Sequence, residues 1–192
     1  MKAHPLSILV ITFCLSLGSS LSTPAETLLS DAPLDSVIVV EGRKNMFQSG
    51  PFYFAGQPNL ETLRWLKSEG VTVVVNLRTE NENREFAEAS FNEENMVKEL
   101  GMSYCPLPVG DKDSYSPATV DKFADILKNN TGKALVHCLS AGRVTTLWMA
   151  YLVRHRKLTL DEAVLIGKKM RFTMPLEDFL GVKILMQAGK SQ

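Results

Sequence analysis

Two short apolar runs, residues 71–77 and 134–137, show little alternation of apolar and polar positions. Such a run is typical of a strand that is buried on both faces, and these strands occur mostly in parallel sheets covered by helices. The surrounding pattern predicts further strands at 37–40, 52–55 and 102–107, and helices at 60–69, within 83–100, and beginning near 117, 144, 160 and 176. The alternation predicts an α/β domain of three layers, with a central, mostly parallel sheet flanked by helices.

Length and charge limit the number of domains and the class of partner. The chain has 192 residues, with 21 basic and 21 acidic side chains and 45% hydrophobic residues, which is close to a globular average. This length fits one domain with a full core. A nucleic-acid partner is not expected, because the charge balance offers no excess of cations for phosphates.

The first residues have the layout of a secretory signal. Lys2 precedes an apolar stretch at 6–17, and small polar residues follow at 18–22. The stretch is too short to cross a bilayer, which takes about 20 residues. We therefore predict a signal peptide at 1–22, a linker at 23–34 and one domain at 35–192. The mature protein is expected in the periplasm or secreted, without a membrane anchor.

The segment after the strand at 134–137 carries the chemistry. His137 and Cys138 lead directly into Leu139, Ser140, Ala141, Gly142 and Arg143, and a helix follows. Backbone amides of such a turn, together with a helix N-terminus, form an anion cradle that stabilises a thiolate nucleophile. Arg143 offers a planar fork for two oxygens of a phosphate-like anion. The plainer interpretation is a buried core cysteine beside a surface arginine.

The segment VHCLSAGRVTTLWMAYLVRH resembles the signature region of cysteine-dependent dual-specificity and tyrosine phosphatases. An earlier segment, FAGQPNLETLRWLKSEGVTVVVNLRTENE, resembles the bacterial beta-lactamase-hydrolase-like phosphatase family. The resemblance implies a protein-tyrosine-phosphatase-like fold, a phosphorylated protein or small molecule as substrate, and neither metal nor cofactor. It also implies that Cys138 forms a phosphocysteine, that Arg143 and the amides of 139–142 hold the oxygens, and that His137 supports the site from behind.

A general acid is expected on the loop after the strand at 102–107. Phosphatases similar to this chain often place Pro-x-x-Asp there, and Pro108 to Asp111 match that spacing. An aspartate on a Gly-containing loop can close over a bound phosphoester and protonate the leaving oxygen. Asp113 is the alternative acid, and a solvated charged turn is the plainer interpretation.

Two departures from the phosphatase pattern leave other functions open. Only four residues separate Cys138 from Arg143, where phosphatases generally have five, and four is common in rhodanese sulfurtransferases. Val144 stands where phosphatases usually have a serine or threonine, so Thr145 or Ser140 is expected to supply that hydroxyl. The alternatives are a sulfurtransferase with a persulfide on Cys138, and a catalytically weak module that binds an anion.

Arg78 with Glu80 or Glu82 follows a strand end and is predicted to form a structural ion pair. The three histidines provide no metal-ligand set.

If the strand that holds Cys105 neighbours the strand before Cys138, the two sulfurs could form a disulfide, although an inert buried thiol is the simpler expectation for Cys105.

Overall fold

The computed structural model describes residues 27–34, 36–172 and 176–183. The predicted signal peptide at 1–22 lies outside the described residues. Thirteen elements follow in chain order, with short 3₁₀ turns at Leu29–Asp31 and Lys112–Ser114: β1 (Ile38–Val39), β2 (Met46–Ser49), β3 (Phe52–Ala55), α1 (Leu60–Ser68), β4 (Val71–Asn76), α2 (Glu80–Ala89), α3 (Glu93–Glu99), β5 (Ser103–Pro106), α4 (Pro117–Lys128), β6 (Lys133–His137), α5 (Gly142–Arg156), α6 (Leu160–Lys169) and α7 (Glu177–Leu180).

The strands form one six-stranded sheet in the order β1-β2-β3-β6-β4-β5. β6 lies between β3 and β4 and is parallel to both, and β5 extends the parallel part beyond β4. β1 and β2 add an antiparallel hairpin at the other edge. The predicted mostly parallel sheet is confirmed. β2 was not predicted, because its four residues show no alternation that marks a strand.

Helices cover both faces of the sheet, so the predicted three layers are confirmed. On one face, alternate strand residues such as Phe54, Val75 and Val136 pack against α4, α5 and α6. On the other face, Tyr53, Val74 and Leu135 join residues of α1 and α3 in a second, smaller core. The strands are buried on both sides, and this explains why their sequences are apolar without alternation.

Local signals explain where several helices begin. Pro117 stands at the first position of α4, and α6 opens with a reciprocal capping box between Thr159 and Glu162. The polar stretch at 83–100 is two helices rather than one, because Asn92 caps α3 separately.

The predicted linker at 23–34 is described from residue 27 onward, and there it is packed against the domain. Leu29 is fully buried, and its backbone N–H donates to the carbonyl of Asn130 at 2.9 Å. Leu28 forms a bridge with Thr131. The folded body therefore begins before residue 35, because these apolar side chains cover the end of α4.

Candidate active site

The catalytic loop, residues 138–143, joins the C-terminal end of β6 to the first turn of α5. Cys138 is only 1% exposed, and its backbone N–H donates to the carbonyl of Ala55 at 3.3 Å. Ala141 turns the chain with a left-handed backbone at φ 69°, an unusual conformation for a residue other than glycine. This turn places the N-terminus of α5 at the loop, as the sequence predicted for an anion cradle.

The Gly-Gln-Pro turn after β3 supports the catalytic loop from the side. Gly56 forms a bridge with Ser140, and the N–H of Gln57 donates to the carbonyl of Leu139 at 3.0 Å. A Cβ atom at position 56 would lie 2.9 Å from that carbonyl oxygen. Only glycine allows the two backbones to approach this closely.

Arg143 is held by Glu82, one of the two carboxylates predicted as the ion-pair partner of Arg78. Its Nη1 and Nη2 donate to the two carboxylate oxygens of Glu82 at 2.9 and 2.6 Å. Nη1 also donates to the carbonyls of Val109 at 2.7 Å and Leu77 at 3.3 Å. Arg78 does contact Glu82, but its Nε lies 3.8 Å away. The predicted ion pair exists, yet the stronger partner of Glu82 is Arg143.

The pairing with Glu82 leaves one edge of the guanidinium for a ligand. Within the described part of the chain, Nε of Arg143 has no hydrogen-bond partner, and Nη2 donates only to Glu82. These two nitrogens form the side edge that can bind two oxygens of one anion. Hydrogen bonds from Arg143 are the main cause that lowers the pKa of Glu82 to about 2, so Glu82 stays ionised. The hydrogen bond with Glu82 is also the first cause of a raised pKa at Arg143, and the charge of nearby Cys138 contributes.

The sequence contained a signal for Glu82 that the helix prediction missed. Thr79 and Glu82 form the same reciprocal capping box that correctly predicted the start of α6. The capping-box pattern at Thr79 and Glu82 predicts that α2 begins at Glu80 rather than at residue 83. It also places Glu82 in the first helical turn beyond the carboxyl end of β4, where sites of parallel sheets assemble.

Part of the loop lines an open cavity of about 390 Å³, and the buried Cys138 is not among the lining residues. Of the predicted binding residues, Leu139, Ser140, Gly142 and Arg143 line it, whereas Ala141 is buried beneath. Tyr115 also lines the cavity and was not predicted. Burial is the first cause that raises the pKa of Tyr115, and the charge of Arg143 opposes the shift.

Asp111, the predicted acid, lies on the loop above this cavity but does not line it. Its carboxylate accepts from the N–H of Ser114 at 2.9 Å and caps a 3₁₀ turn. This bond lowers the pKa of the exposed carboxyl group. Asp113 lines a separate, adjoining cavity. Among the described residues, no hydrogen bond joins either aspartate to the catalytic loop, and one carboxylate oxygen of Asp111 is already bonded within the turn at 111–114.

The hydroxyl groups expected to replace the one missing at Val144 lie in different places. Thr145 is fully buried, and its Oγ1 donates to the carbonyl of Ala141 at 2.8 Å and accepts from the N–H of Arg171 at 3.3 Å. It therefore braces the loop turn from behind. Ser140 is exposed on the cavity wall. Val144 is buried in the core.

The strand order contradicts the condition for a disulfide between Cys105 and Cys138. β4 lies between β5 and β6, and Val75 pairs with both Cys105 and Val136. Cys105 and Val136 are therefore two strand spacings apart, about 9.6 Å, and Cys138 follows Val136 by two residues. This separation exceeds the roughly 7 Å between Cα atoms that a disulfide can bridge. Both cysteines are free thiols.

A close contact between Gly110 and Thr79 gives a prediction about how the acid loop is seated. A Cβ atom at position 110 would lie 2.2 Å from Cγ2 of Thr79, whose hydroxyl group is fixed by the capping box. We expect Gly110→Ala to displace the loop and with it the Val109 carbonyl that binds Arg143. Activity on an aryl phosphate should fall about tenfold or more.

The matched test adds Thr79→Ser, which removes the obstructing methyl group and keeps the capping hydroxyl. Gly110→Ala combined with Thr79→Ser should recover most of the activity, and Thr79→Ser alone should resemble the parent. Equal activity of Gly110→Ala and the parent would contradict the close packing of these two residues.

No helix among the described residues is both long and apolar enough to cross a membrane.

Comparisons with known proteins place this geometry in a family. A family model described as DSP-PTPase phosphatase fused to NAD+ kinase matches residues 33–171. The mouse (Mus musculus) protein Dual specificity protein phosphatase 2 is 28% identical over 138 residues, which cover 68% of this chain and 39% of that protein. The chain spans about two fifths of the length of the curated relatives it matches.

Two solved structures share the fold at lower identity. A DUF442 protein from Shewanella putrefaciens CN-32 has a TM-score of 0.55 and 24% identity, covering 71% of this chain and 87% of its own. TpbA from P. aeruginosa, crystallised with phosphotyrosine, has a TM-score of 0.52 and 17% identity, covering 71% of this chain and 84% of its own. The predicted phosphatase-like fold and the resemblance to dual-specificity phosphatases are confirmed. The chain belongs to the family of DSP-PTPase phosphatases fused to NAD+ kinase.

Proposed function

We propose that this protein is a cysteine-dependent phosphatase that hydrolyses phosphomonoesters through a phosphocysteine at Cys138. The observation that carries the proposal is the hydrogen bonding of Arg143. Glu82 binds the end of its guanidinium through Nη1 and Nη2, and Nε on the side edge has no hydrogen-bond partner among the described residues. A fork fixed in this way beside a nucleophile suits a tetrahedral oxyanion, and family membership adds independent support.

Two steps complete the reaction. The Cys138 thiolate attacks phosphorus, the S–P bond forms, and the P–O bond to the leaving group breaks. Asp111 gives its proton to the departing oxygen once the turn at 111–114 opens and its carboxyl group is released from the bond with Ser114. Water then attacks the phosphocysteine, Asp111 takes a proton from that water, and the S–P bond breaks to release inorganic phosphate and the thiolate. Arg143 and the amides of the catalytic loop hold the phosphoryl oxygens throughout.

We further propose that the substrate is a phosphorylated tyrosine, serine or threonine side chain or a small phosphoester. The open cavity that Leu139 and Tyr115 help to line, of about 390 Å³, supports this proposal, and TpbA is a structural neighbour crystallised with phosphotyrosine. We propose export to the periplasm or the medium on the basis of the apolar segment at 6–17.

Substitution of the proposed acid tests this mechanism. Asp111→Asn should lower kcat about a hundredfold on a phosphoester with a poor leaving group and only weakly on an activated aryl phosphate, because only the poor leaving group needs a proton. The alkaline limb of the pH–rate profile should flatten, since that limb reports deprotonation of the acid. Steady-state kinetics on both substrates across pH measure these effects.

Asp113→Asn is the matched control and should behave like the parent. If only Asp113→Asn were impaired, the acid would be Asp113. The spacing of four residues between Cys138 and Arg143 also suits a sulfurtransferase, in which neither aspartate is needed. Robust turnover of thiosulfate with cyanide, together with negligible phosphatase activity, would reject the proposed function in favour of that chemistry.

A further inference from the structure

A buried carboxylate lies directly behind the catalytic loop. Glu93, the first residue of α3, is 6% exposed and is surrounded by donors from three other elements. Nε2 of Gln57 donates to its Oε2 at 2.9 Å, and Nδ2 of Asn76 donates to the same oxygen at 3.4 Å. Nε2 of His137 lies 2.7 Å from Oε1, off the ideal direction of the ring N–H. A carboxylate this deep is costly to bury, so these partners must compensate for lost water.

Helix capping does not explain the position of Glu93. The side chain of Asn92 accepts from the N–H of Asn95 at 2.9 Å and already caps α3. The next residue, Glu94, is exposed and pairs with Lys98 at 2.6 Å in an ordinary surface ion pair. Glu93 instead points into the sheet, toward the ends of the strands that carry the catalytic loop.

Two of the three partners of Glu93, His137 and Gln57, lead to the site. His137 immediately precedes Cys138, and the backbone N–H of Gln57 donates to the carbonyl of Leu139. The side-chain oxygen of Gln57 accepts from Nη1 of Arg78, and Nη2 of Arg78 donates to the carbonyl of Glu82 at 2.8 Å. Glu82 then holds Arg143. The network therefore reaches the nucleophile, the middle of the loop and the arginine from one carboxylate.

We propose that Glu93 is a positioning residue that fixes the catalytic loop in the shape that binds the phosphoryl group. This inference rests on the proposed phosphatase function. With four residues between Cys138 and Arg143, the catalytic loop has one amide fewer than the usual cradle, which has five. The remaining groups must therefore be held closely, and the network of Glu93 provides that support behind Cys138, Leu139 and Arg143.

The direction of the hydrogen bonds requires a carboxylate at position 93. Gln57 and Asn76 present N–H groups to Glu93, and Nε2 is the ring atom of His137 that faces it, whereas a carboxylate is the side chain that only accepts. Although burial favours the neutral acid, the attraction of His137 and the bonds from its partners lower the pKa of Glu93, which keeps it ionised. An amide at position 93 would present its own N–H groups to one or more of these donors.

The test measures binding of tungstate, a phosphate mimic, by isothermal titration calorimetry, which does not depend on turnover. Glu93→Gln should bind tungstate about tenfold or more weakly, a change expected for one mispaired buried group. Glu94→Gln is the matched control, one residue away on the same helix, and should bind like the parent. Measurements are made below the thermal midpoint of each variant, so that a loss of stability alone does not change the affinity.

A double variant that exchanges the side chains at positions 57 and 93 separates a positioning role of Glu93 from a role in packing alone. In Gln57→Glu combined with Glu93→Gln, the carboxylate moves to position 57, where it accepts from Arg78 and from the new amide. The oxygen of that amide still faces His137, and Nδ2 of Asn76 keeps its two shorter bonds, to Oδ1 of Asn83 at 3.0 Å and to the hydroxyl oxygen of Tyr104 at 2.8 Å. The double variant should bind tungstate within about threefold of the parent, whereas Glu93→Gln alone should not.

The outcomes distinguish this inference from the proposed function. A parent protein that does not bind tungstate would overturn both. Parent-like affinity in Glu93→Gln, or no recovery in the double variant, would overturn the positioning role alone. If Glu93→Gln does not fold, Glu93→Asp keeps an acceptor but withdraws it by one methylene. It should weaken binding about threefold or more, and unchanged affinity would equally reject the role.

Discussion

Replacement of Cys138 by serine is expected to abolish phosphoester turnover while leaving the fold intact. The hydroxyl group of serine does not ionise near neutral pH, so the cradle of loop amides would hold a neutral and weak nucleophile. We expect kcat on p-nitrophenyl phosphate to fall by at least about four orders of magnitude. The oxygen is smaller than the sulfur, and the bond from the backbone N–H to Ala55 is kept, so circular dichroism should show an unchanged fold.

Cys105 provides the control for this experiment. It lies on β5, two strands away from β6, and is half-buried. Cys105→Ser should retain the activity of the parent, which would tie the loss to Cys138. A folded Cys138→Ser variant that hydrolysed the aryl phosphate like the parent would exclude Cys138 as the nucleophile.

The sequence predicted the layers of the fold because burial on both faces leaves a direct mark on composition. Val73, Val74 and Val75 are all fully buried, alternately against the two helical layers. The position of the loop at 138–143 was predictable for a related reason, since its cysteine, glycine and arginine lie in one continuous stretch between a buried strand and a helix. Local patterns of this kind need no knowledge of the neighbouring elements.

The partners of the loop were harder to predict because they come from distant parts of the chain. Glu82 and Glu93 lie in a strongly charged stretch, and by composition alone they resemble its solvated glutamates. Their roles depend on the strand order, which places β4 beside β6 and brings the start of α2 to Arg143. The packed segment at Leu29 was missed for the same reason, since its burial depends on the end of α4, about a hundred residues later.

Arg143→Lys is expected to reduce kcat/KM about a thousandfold, the second largest effect after loss of Cys138. The parent side chain satisfies Glu82 and two backbone carbonyls with one side of its guanidinium and keeps the other side for the substrate. A lysine ammonium has only three donors around one nitrogen, so bonds to Glu82 and Val109 would leave too few for two phosphoryl oxygens.

Two variants of α2 make this prediction specific to the shared fork. Glu82→Gln keeps one acceptor for Arg143 and loses the paired contact, so kcat/KM should fall about tenfold to a hundredfold, mainly through KM. Arg84→Lys changes an exposed arginine of the same helix, whose side chain donates to Oδ1 of Asn81, and should match the parent. Steady-state kinetics on p-nitrophenyl phosphate measure all three variants. If Arg143→Lys retained the KM and kcat of the parent, the oxygen-binding role of Arg143 would be wrong. If kcat/KM fell in Arg143→Lys but did not change in Glu82→Gln, the arginine would keep its orientation without the carboxylate.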